Sequence, residues 1–386
     1  MPVFNLATAF ARRRIAVVAP RIDRFAPEIR PAVGCLAARD ARLLDLAATF
    51  PALLHRLAVE PDAARTARAV AIVRAGGTLK AAGLAAGLPF WTRKLSPEAF
   101  GKALPDLPGG AVFALRVANV LPRDRKTAAA WLAAVAEAAR WGDPAAALWA
   151  ARESADPQGL TPEEARLVAL HAWFACRPET RGGALAGGRW AAEAGREAAI
   201  AKGREWLERL YGYFALGDGP VDPWLEDGAA DGFDFVAVAT VAALAEEAEA
   251  MNNCVRSYAW DIASGYERLF SVRRDGKRLA TLAVAYAEEA PFPHVCQLKG
   301  PANAPAPPEV WFAARRWVAS QAPARREPDD GAGAIDRKRW ITVWRPWWIA
   351  RRRFPPELPL RANGQAFGGL YGHRPYRGRR RRRRRA

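Results

Sequence analysis

The segment MNNCVRSYAWDIASG, residues 251 to 265, gathers two adjacent amides, a thiol, a hydroxyl and a phenol ahead of a glycine, in a chain otherwise rich in Ala, Arg and Leu. Cys254 at the start of a helix would feel the helix dipole and free N–H groups, which lower a thiol pKa and favour the nucleophilic thiolate. His294, two residues before Cys296, is the candidate base, and Asn252, Asn253 or Gln297 could orient it or hold an oxyanion. The spacing does not tie these groups together, and each also fits a structural role. Asn252 or Asn253 serves as an N-cap, Cys254 as a small buried hydrophobe, Tyr258 as a packed ring with its hydroxyl bonded, and Gly265 as the residue that ends a helix.

A second polar set follows. Alternation in LFSVRR puts Phe270 and Val272 on one face of a strand and Ser271 and Arg273 on the other. Ser271, Arg273, Thr281, Gln297 and Asn303 would then form a row on one sheet face. With Lys299 and Gly300 at a strand end, that row could bind a phosphate, a carboxylate or a peptide. A solvated sheet face is the competing reading. Asn253, Ser257 and Tyr258 complete the candidate ligand-binding set. P-loop, HExxH, GxSxG and paired-carboxylate patterns do not occur. Cys35, Cys176, Cys254 and Cys296 are scattered without a CxxC pair or a His at finger spacing, so no metal site, disulfide framework or cofactor is expected.

These residues need elements to position them. Residues 38 to 214 read as successive short helices, with starts at Ser96-Pro97-Glu98 and Thr161-Pro162-Glu163-Glu164, a glycine loop at 182–188, and a helix from about Trp190 to Tyr213. GDGPVDPWLEDGAADG, rich in Gly, Pro and Asp, predicts a linker at 217–232. A helix from about Phe235 to Ala250 then leads into a second helix that ends near Gly265. Two apolar runs around Asp275-Gly276 predict a hairpin, HVCQLKG a third strand, and Pro307-Pro308-Glu309 a last helix through Val318.

The residues from MNNCVRSYAW through CQLKGPANAPAPPEV resemble the core of the PcfJ-like proteins, a bacterial family named for a conjugative-plasmid transfer operon. The matching positions are Cys254, Ser257, Tyr258, Gly265, Ser271, Arg273, Thr281, Gln297, Gly300 and Asn303, within roughly residues 245 to 320; GLPFWTRKLSPEAF ahead of them is similar more weakly. The resemblance implies a mobile-element context and no particular reaction.

Nucleic acid is the expected partner. GGTLKAAGLAAGLPFWTRKL, residues 76 to 95, has the outline of a helix-turn-helix: a turn near Gly87, then a second helix from Pro89 exposing Arg93 and Lys94. The competing reading is one more short helix of the array, with Trp91 in the core. RKRWITVWRPWWIARRRF spaces Trp340, Trp344, Trp347 and Trp348 along a helical stripe among arginines, interrupted by Pro346. Docking onto the body is expected of so many indoles; an anionic membrane surface or single-stranded bases are the other surfaces that composition suits. Arg379, Arg380, Arg381, Arg382, Arg383, Arg384 and Arg385 form a low-complexity run that would hold phosphate backbones without reading sequence. A solubilising or incidental arginine run is the alternative.

The charge distribution agrees with that division. The 386 residues carry a formal net charge of +18, yet from Arg337 onward 17 Lys and Arg face the single acid Glu357. No apolar run approaches the ~18 residues of a membrane span, and the first residues lack a secretory pattern. A cytoplasmic protein is expected. The fold class is α+β: a helical region over 1–216, the linker at 217–232, a helix plus antiparallel-sheet domain over 233–321, a Trp/Arg-rich segment over 322–378, and a disordered tail over 379–386. A non-enzymatic binding or accessory role is expected, with an enzyme using Cys254 as the alternative.

Overall fold

A computed structural model describes residues 19–61, 63–101, 104–122, 124–155, 159–325, 327–329 and 336–352. The protein is α+β, with two compact units: residues 1–176 with 189–203, and residues 177–188 with 204–386.

The first unit is helical: α1 (Arg30–Ala38), α2 (Ala41–Thr49), α3 (Pro51–Val59), α4 (Ala64–Arg74), α5 (Leu79–Ala85), α6 (Ala111–Val117), α7 (Ala128–Trp141), α8 (Pro144–Glu153) and α9 (Pro162–Ala175). Its core is built on indoles. Trp131, Trp141, Trp149 and Trp173 are fully buried, and Trp131 and Trp149 donate Nε1–H to the carbonyls of Ala151 and Ala194. Each ring thus buries its apolar body without stranding its one donor. At Gly142 an added Cβ would lie 2.9 Å from the Cβ atoms of Ala146 and Ala169, so only glycine lets these helices approach so closely.

Thr161 starts α9 as expected, through a complete capping box with Glu164. Ser96 does not start a helix. Pro97–Ala99 is a single 3-10 turn, and Glu98 turns to the Arg24 guanidinium at 2.6 Å. The helix-turn-helix outline also fails. After Gly87 the chain forms only the five-residue 3-10 turn Phe90–Lys94, because Trp91 is buried and the Arg93 Nε donates to the Thr49 carbonyl at 2.9 Å. No recognition helix presents Arg93 and Lys94, although both are exposed.

The second unit contains α10 (Arg181–Ala184), most of α11 (Arg196–Leu216), α12 (Val241–Met251), α13 (Ala259–Ala263), α14 (Pro308–Ser320), α15 (Arg337–Arg351) and a five-stranded antiparallel sheet in the order β1-β2-β3-β4-β5. The strands are β1 (Gly228–Ala230), β2 (Phe233–Ala237), β3 (Glu267–Arg274), β4 (Lys277–Ala285) and β5 (His294–Lys299). Asp275 and Gly276 join β3 to β4 with φ of 51° and 74°, the pair of left-handed residues that a two-residue hairpin demands.

Two expectations are corrected here. Residues 217–232 are not a free linker: they contain β1 and the buried Leu225. Arg268, itself buried, donates to the carbonyls of Asp222 and Ile262 and lies over the Trp224 ring, 4.4 Å from its centroid, so it ties this segment to β3. Phe235 belongs to a strand and not to a helix. Phe233 and Phe235 are buried while Asp234 between them is exposed, a period of two; the helix waits for Thr240, whose hydroxyl accepts from Ala243 N–H.

Both sheet faces are covered. On one, Trp317 of α14 stacks on Phe235, centroids 4.5 Å apart, and meets Phe270 edge-on at 4.8 Å, within a cluster that includes Val272, Leu282, Val284 and Leu298. On the other, Leu269 and Ala283 pack with Leu244, Ala248, Val255, Ala259 and Ile262 from α12 and the segment after it. Two of the four indoles of α15 join the fold as expected: Trp344 and Trp347 are fully buried, whereas Trp348 is exposed. Arg339 donates to the Phe214 and Ala215 carbonyls at the end of α11, where Gly217 at φ 78° leaves room for its guanidinium. Residues 353–386, which include Arg379 to Arg385, lie outside the described residues.

Candidate functional site

The motif at 251–265 is a helix end followed by a turn. Asn252 takes the left-handed conformation, φ 48°, and Asn253 N–H reaches back to the Ala248 carbonyl, so α12 stops there. Val255–Tyr258 is a four-residue 3-10 turn, α13 adds five residues, and Gly265 at φ 76° ends it. The second helix expected to end near Gly265 is therefore reduced to this turn and the five residues of α13, and Asn252 closes α12 where an N-cap was expected. With that helix goes the dipole argument for Cys254, since a 3-10 turn aligns too few peptide groups to build a macrodipole.

The turn lies over the polar sheet face. The register places Ser271, Thr281 and Lys299 on one rung, Leu269, Ala283 and Gln297 on the next, and Glu267, Ala285 and His294 on a third. A shallow cleft with about 280 Å³ of void, counting its open mouth, is lined by Asn253, Cys254, Val255, Tyr258, Leu269, Thr281, Ala283, Gln297, Lys299 and Asn303. Of the residues predicted from the sequence, Asn253, Cys254, Tyr258, Thr281, Gln297, Lys299 and Asn303 come together here. Four others do not line it. Ser257 is exposed and donates to the Cys254 carbonyl; Ser271 is fully buried and accepts from Arg273 Nε at 3.1 Å. His294 sits at the other end of β5 from Lys299, beyond the bulge near Cys296, so the cleft does not pair it with Cys254. Of the expected row, Ser271, Thr281 and Gln297 share the sheet face, Arg273 follows a register shift in β3, and Asn303 lies off the sheet in an exposed turn; the face is not solvated, since Thr281 is 5% exposed.

A hydrogen-bonded chain holds the cleft floor. The Thr281 hydroxyl accepts from Asn253 Nδ2 at 3.0 Å and donates to Glu247 Oε1 at 2.8 Å; Arg278 Nε donates to Glu247 Oε2 at 3.0 Å. Asn253 Oδ1 accepts from Val255 N–H, so both ends of this amide are engaged and the turn is fixed to the sheet. Glu247, 1% exposed, was missed in the sequence. Its clue is positional: it shares the helix face of Leu244, Ala248 and Met251, and an acid on an apolar helical face implies a buried cation or donor.

The opposite wall is Tyr258, whose hydroxyl donates to Gln297 Oε1 at 2.9 Å. Burial, with the Glu267 carboxylate adding to it, pushes this phenol up to about 12, so it stays a donor. The Gln297 oxygen is thus occupied and its NH₂ group remains as a donor. Burial likewise raises the Cys296 thiol to about 12; part of the residue is exposed, but its sulfur is tucked against the Ala283 carbonyl at 3.2 Å. Glu267, also missed, is raised to about 7 by burial and then by Asp261.

Lys299 is half-buried at the mouth and makes no ion pair among the described residues, and Asn303 beside it holds a left-handed φ of 59°. The cleft therefore offers an ammonium and amide donors, together with the exposed Cys254 thiol. That donor set suits an anionic or strongly accepting group. No group of three or more potential metal ligands occurs among the described residues, and no described helix is long and apolar enough to cross a membrane. No protein-family model, curated protein or solved structure matches the chain.

Proposed function

We propose that the chain is a PcfJ-like binding protein with an accessory role linked to mobile DNA. Its sheet domain takes a small ligand bearing a carboxylate or phosphate, and Arg379 to Arg385 hold nucleic-acid backbones without sequence preference. One observation carries the ligand reading: seven polar or thiol side chains from the turn, β4, β5 and the loop after it converge on one cleft, whose Lys299 has no partner carboxylate among the described residues. A solvated surface has no need of the buried Glu247–Thr281–Asn253 chain that fixes its floor.

The test is thermal unfolding of the full chain against inorganic phosphate, small carboxylates and short peptides, with Lys299→Ala in parallel. A ligand should raise the wild-type Tm and leave the variant unmoved. A rise of equal size in Lys299→Ala refutes the cleft. Fluorescence anisotropy with single- and double-stranded DNA and RNA tests the tail: residues 1–378 should lose most affinity, and the remaining affinity of the full chain should fall steeply with salt.

A second reading has its own observation. Cys254 presents an exposed thiol to the same cleft, where it could act as a nucleophile. Alkylation of Cys254 at neutral pH much faster than that of the other three cysteines would favour an enzyme; equal rates would remove this reading.

A further inference from the structure

The inner face of α15 is spent on the fold through Val343, Trp344 and Trp347, all fully buried. Its outer face has a composition of its own. Ile341, Trp348 and Ile349 are 41%, 40% and 56% exposed, and Lys338, Arg345 and Arg352 are exposed among them. Positions 338, 341, 345, 348, 349 and 352 recur at three- and four-residue steps, so they form one continuous stripe about 20 Å long. No acid lies between Arg337 and Arg351, and the adjacent Asp336 is engaged as the N-cap, accepting from Lys338 and Arg339 N–H.

We propose that this stripe is an interfacial surface for an anionic lipid bilayer. The cations match lipid phosphates, and the two isoleucines with the indole between them enter the boundary between headgroups and acyl chains. Single-stranded nucleic acid would use the same cations and Trp348, but it has no place for Ile341 and Ile349, because base stacking needs flat rings. The helix lies on the membrane and does not cross it.

The experiment is co-sedimentation of the full chain with phosphatidylcholine vesicles and with vesicles containing about 30% phosphatidylglycerol, at 0.1 M and 0.5 M salt. The charge-neutral variant Ile341→Ser/Ile349→Ser is compared with wild type, and Ile349→Ser alone serves if the double variant fails to fold. At 0.5 M salt the arginine run is largely screened, which leaves the apolar contribution visible. Wild type should still bind the anionic vesicles, and the double variant should bind them at least tenfold more weakly, since burial of each lost methylene contributes roughly 0.8 kcal/mol. Equal binding of variant and wild type, or no wild-type binding at 0.5 M salt, overturns the proposal. So does a variant that loses single-stranded DNA and keeps vesicles, which would give the stripe to nucleic acid. None of these outcomes depends on the cleft.

Discussion

The two faces of the five-stranded sheet solve the burial problem in opposite ways. Toward α14 the face is apolar apart from Arg268: Phe235, Phe270, Val272, Leu282 and Leu298 close around Trp317, and stability comes from the area removed from water. Toward α12 and the turn, a narrower apolar patch shares the face with Glu247, Ser271 and Thr281, all buried, and with Glu267 and Tyr258. Buried polar groups stabilise little once their desolvation is counted, so that face is the poorer way to hold a sheet together. What it supplies is fixed geometry: the Glu247–Thr281–Asn253 chain sets the turn, and the turn sets Cys254 and Tyr258 over Gln297.

The comparison breaks most readily on the apolar side. Trp317→Ala should cost about 3–5 kcal/mol, because it removes a ring that is 1% exposed and stacked on Phe235. Denaturant unfolding measures it, and a loss under 1 kcal/mol would mean that the α14 face is not the main anchor. On the polar side, Glu247→Ala should cost less, about 1–3 kcal/mol, by leaving the buried Thr281 hydroxyl without its acceptor, while Arg278 keeps Glu246 and water. It should also loosen the turn, seen as faster hydrogen exchange at Val255 to Tyr258 than Trp317→Ala produces at equal stability.

The apolar face was the more legible of the two. Alternation at Phe270, Ser271 and Val272 separates the faces, and Asp275-Gly276 marks the hairpin because only left-handed residues close so tight a turn. Length misled at β1 and β2: strands of three and five residues between Gly- and Asp-rich stretches resemble a linker running into a helix until their partner β3 is known. In the site, residue type pointed to Cys254, Tyr258, Gln297 and Lys299, but His294 was paired with Cys254 by chemistry alone. The pairing register, set by a bulge near Cys296, decides which residues meet, and no local pattern reports it. Ser96 and Pro89 carry good helix-start chemistry that tertiary partners override, through Arg24 on Glu98 and the burial of Trp91.

A third test uses pH. Glu267 is raised from 4.5 to about 7 in the folded state, first by burial and then by Asp261. Its protonated form is the one the fold prefers, so this contribution to stability is complete below about pH 4.5 and is lost as pH rises through about 7. Glu267→Gln keeps the shape and removes the titration. The variant should be more stable than wild type at pH 8, by about 1–2 kcal/mol after allowance for partial exposure, with the difference gone by pH 4. Melting curves at pH 4, 6 and 8 measure it, and a constant difference would mean that Glu267 is solvated in the folded state.

The smallest effect separates architecture from site. Tyr258→Phe keeps the ring and deletes the hydroxyl that donates to Gln297 Oε1. One neutral hydrogen bond contributes about 0.5–1.5 kcal/mol, less where water can replace the lost donor, and Tyr258 is only half-buried beside an open cleft. A stability loss near 0.5 kcal/mol is therefore expected. The consequence for binding should be larger, because without the phenol the Gln297 amide is free to flip and present its oxygen where the NH₂ group stood. A ligand read by Lys299 and that NH₂ group would then meet an acceptor in place of a donor, and its affinity should fall about tenfold against a barely altered Tm. Equal small losses in both would make Tyr258 a packing residue whose hydroxyl merely found a partner, and the polar face would then be a device for shaping the turn and nothing more.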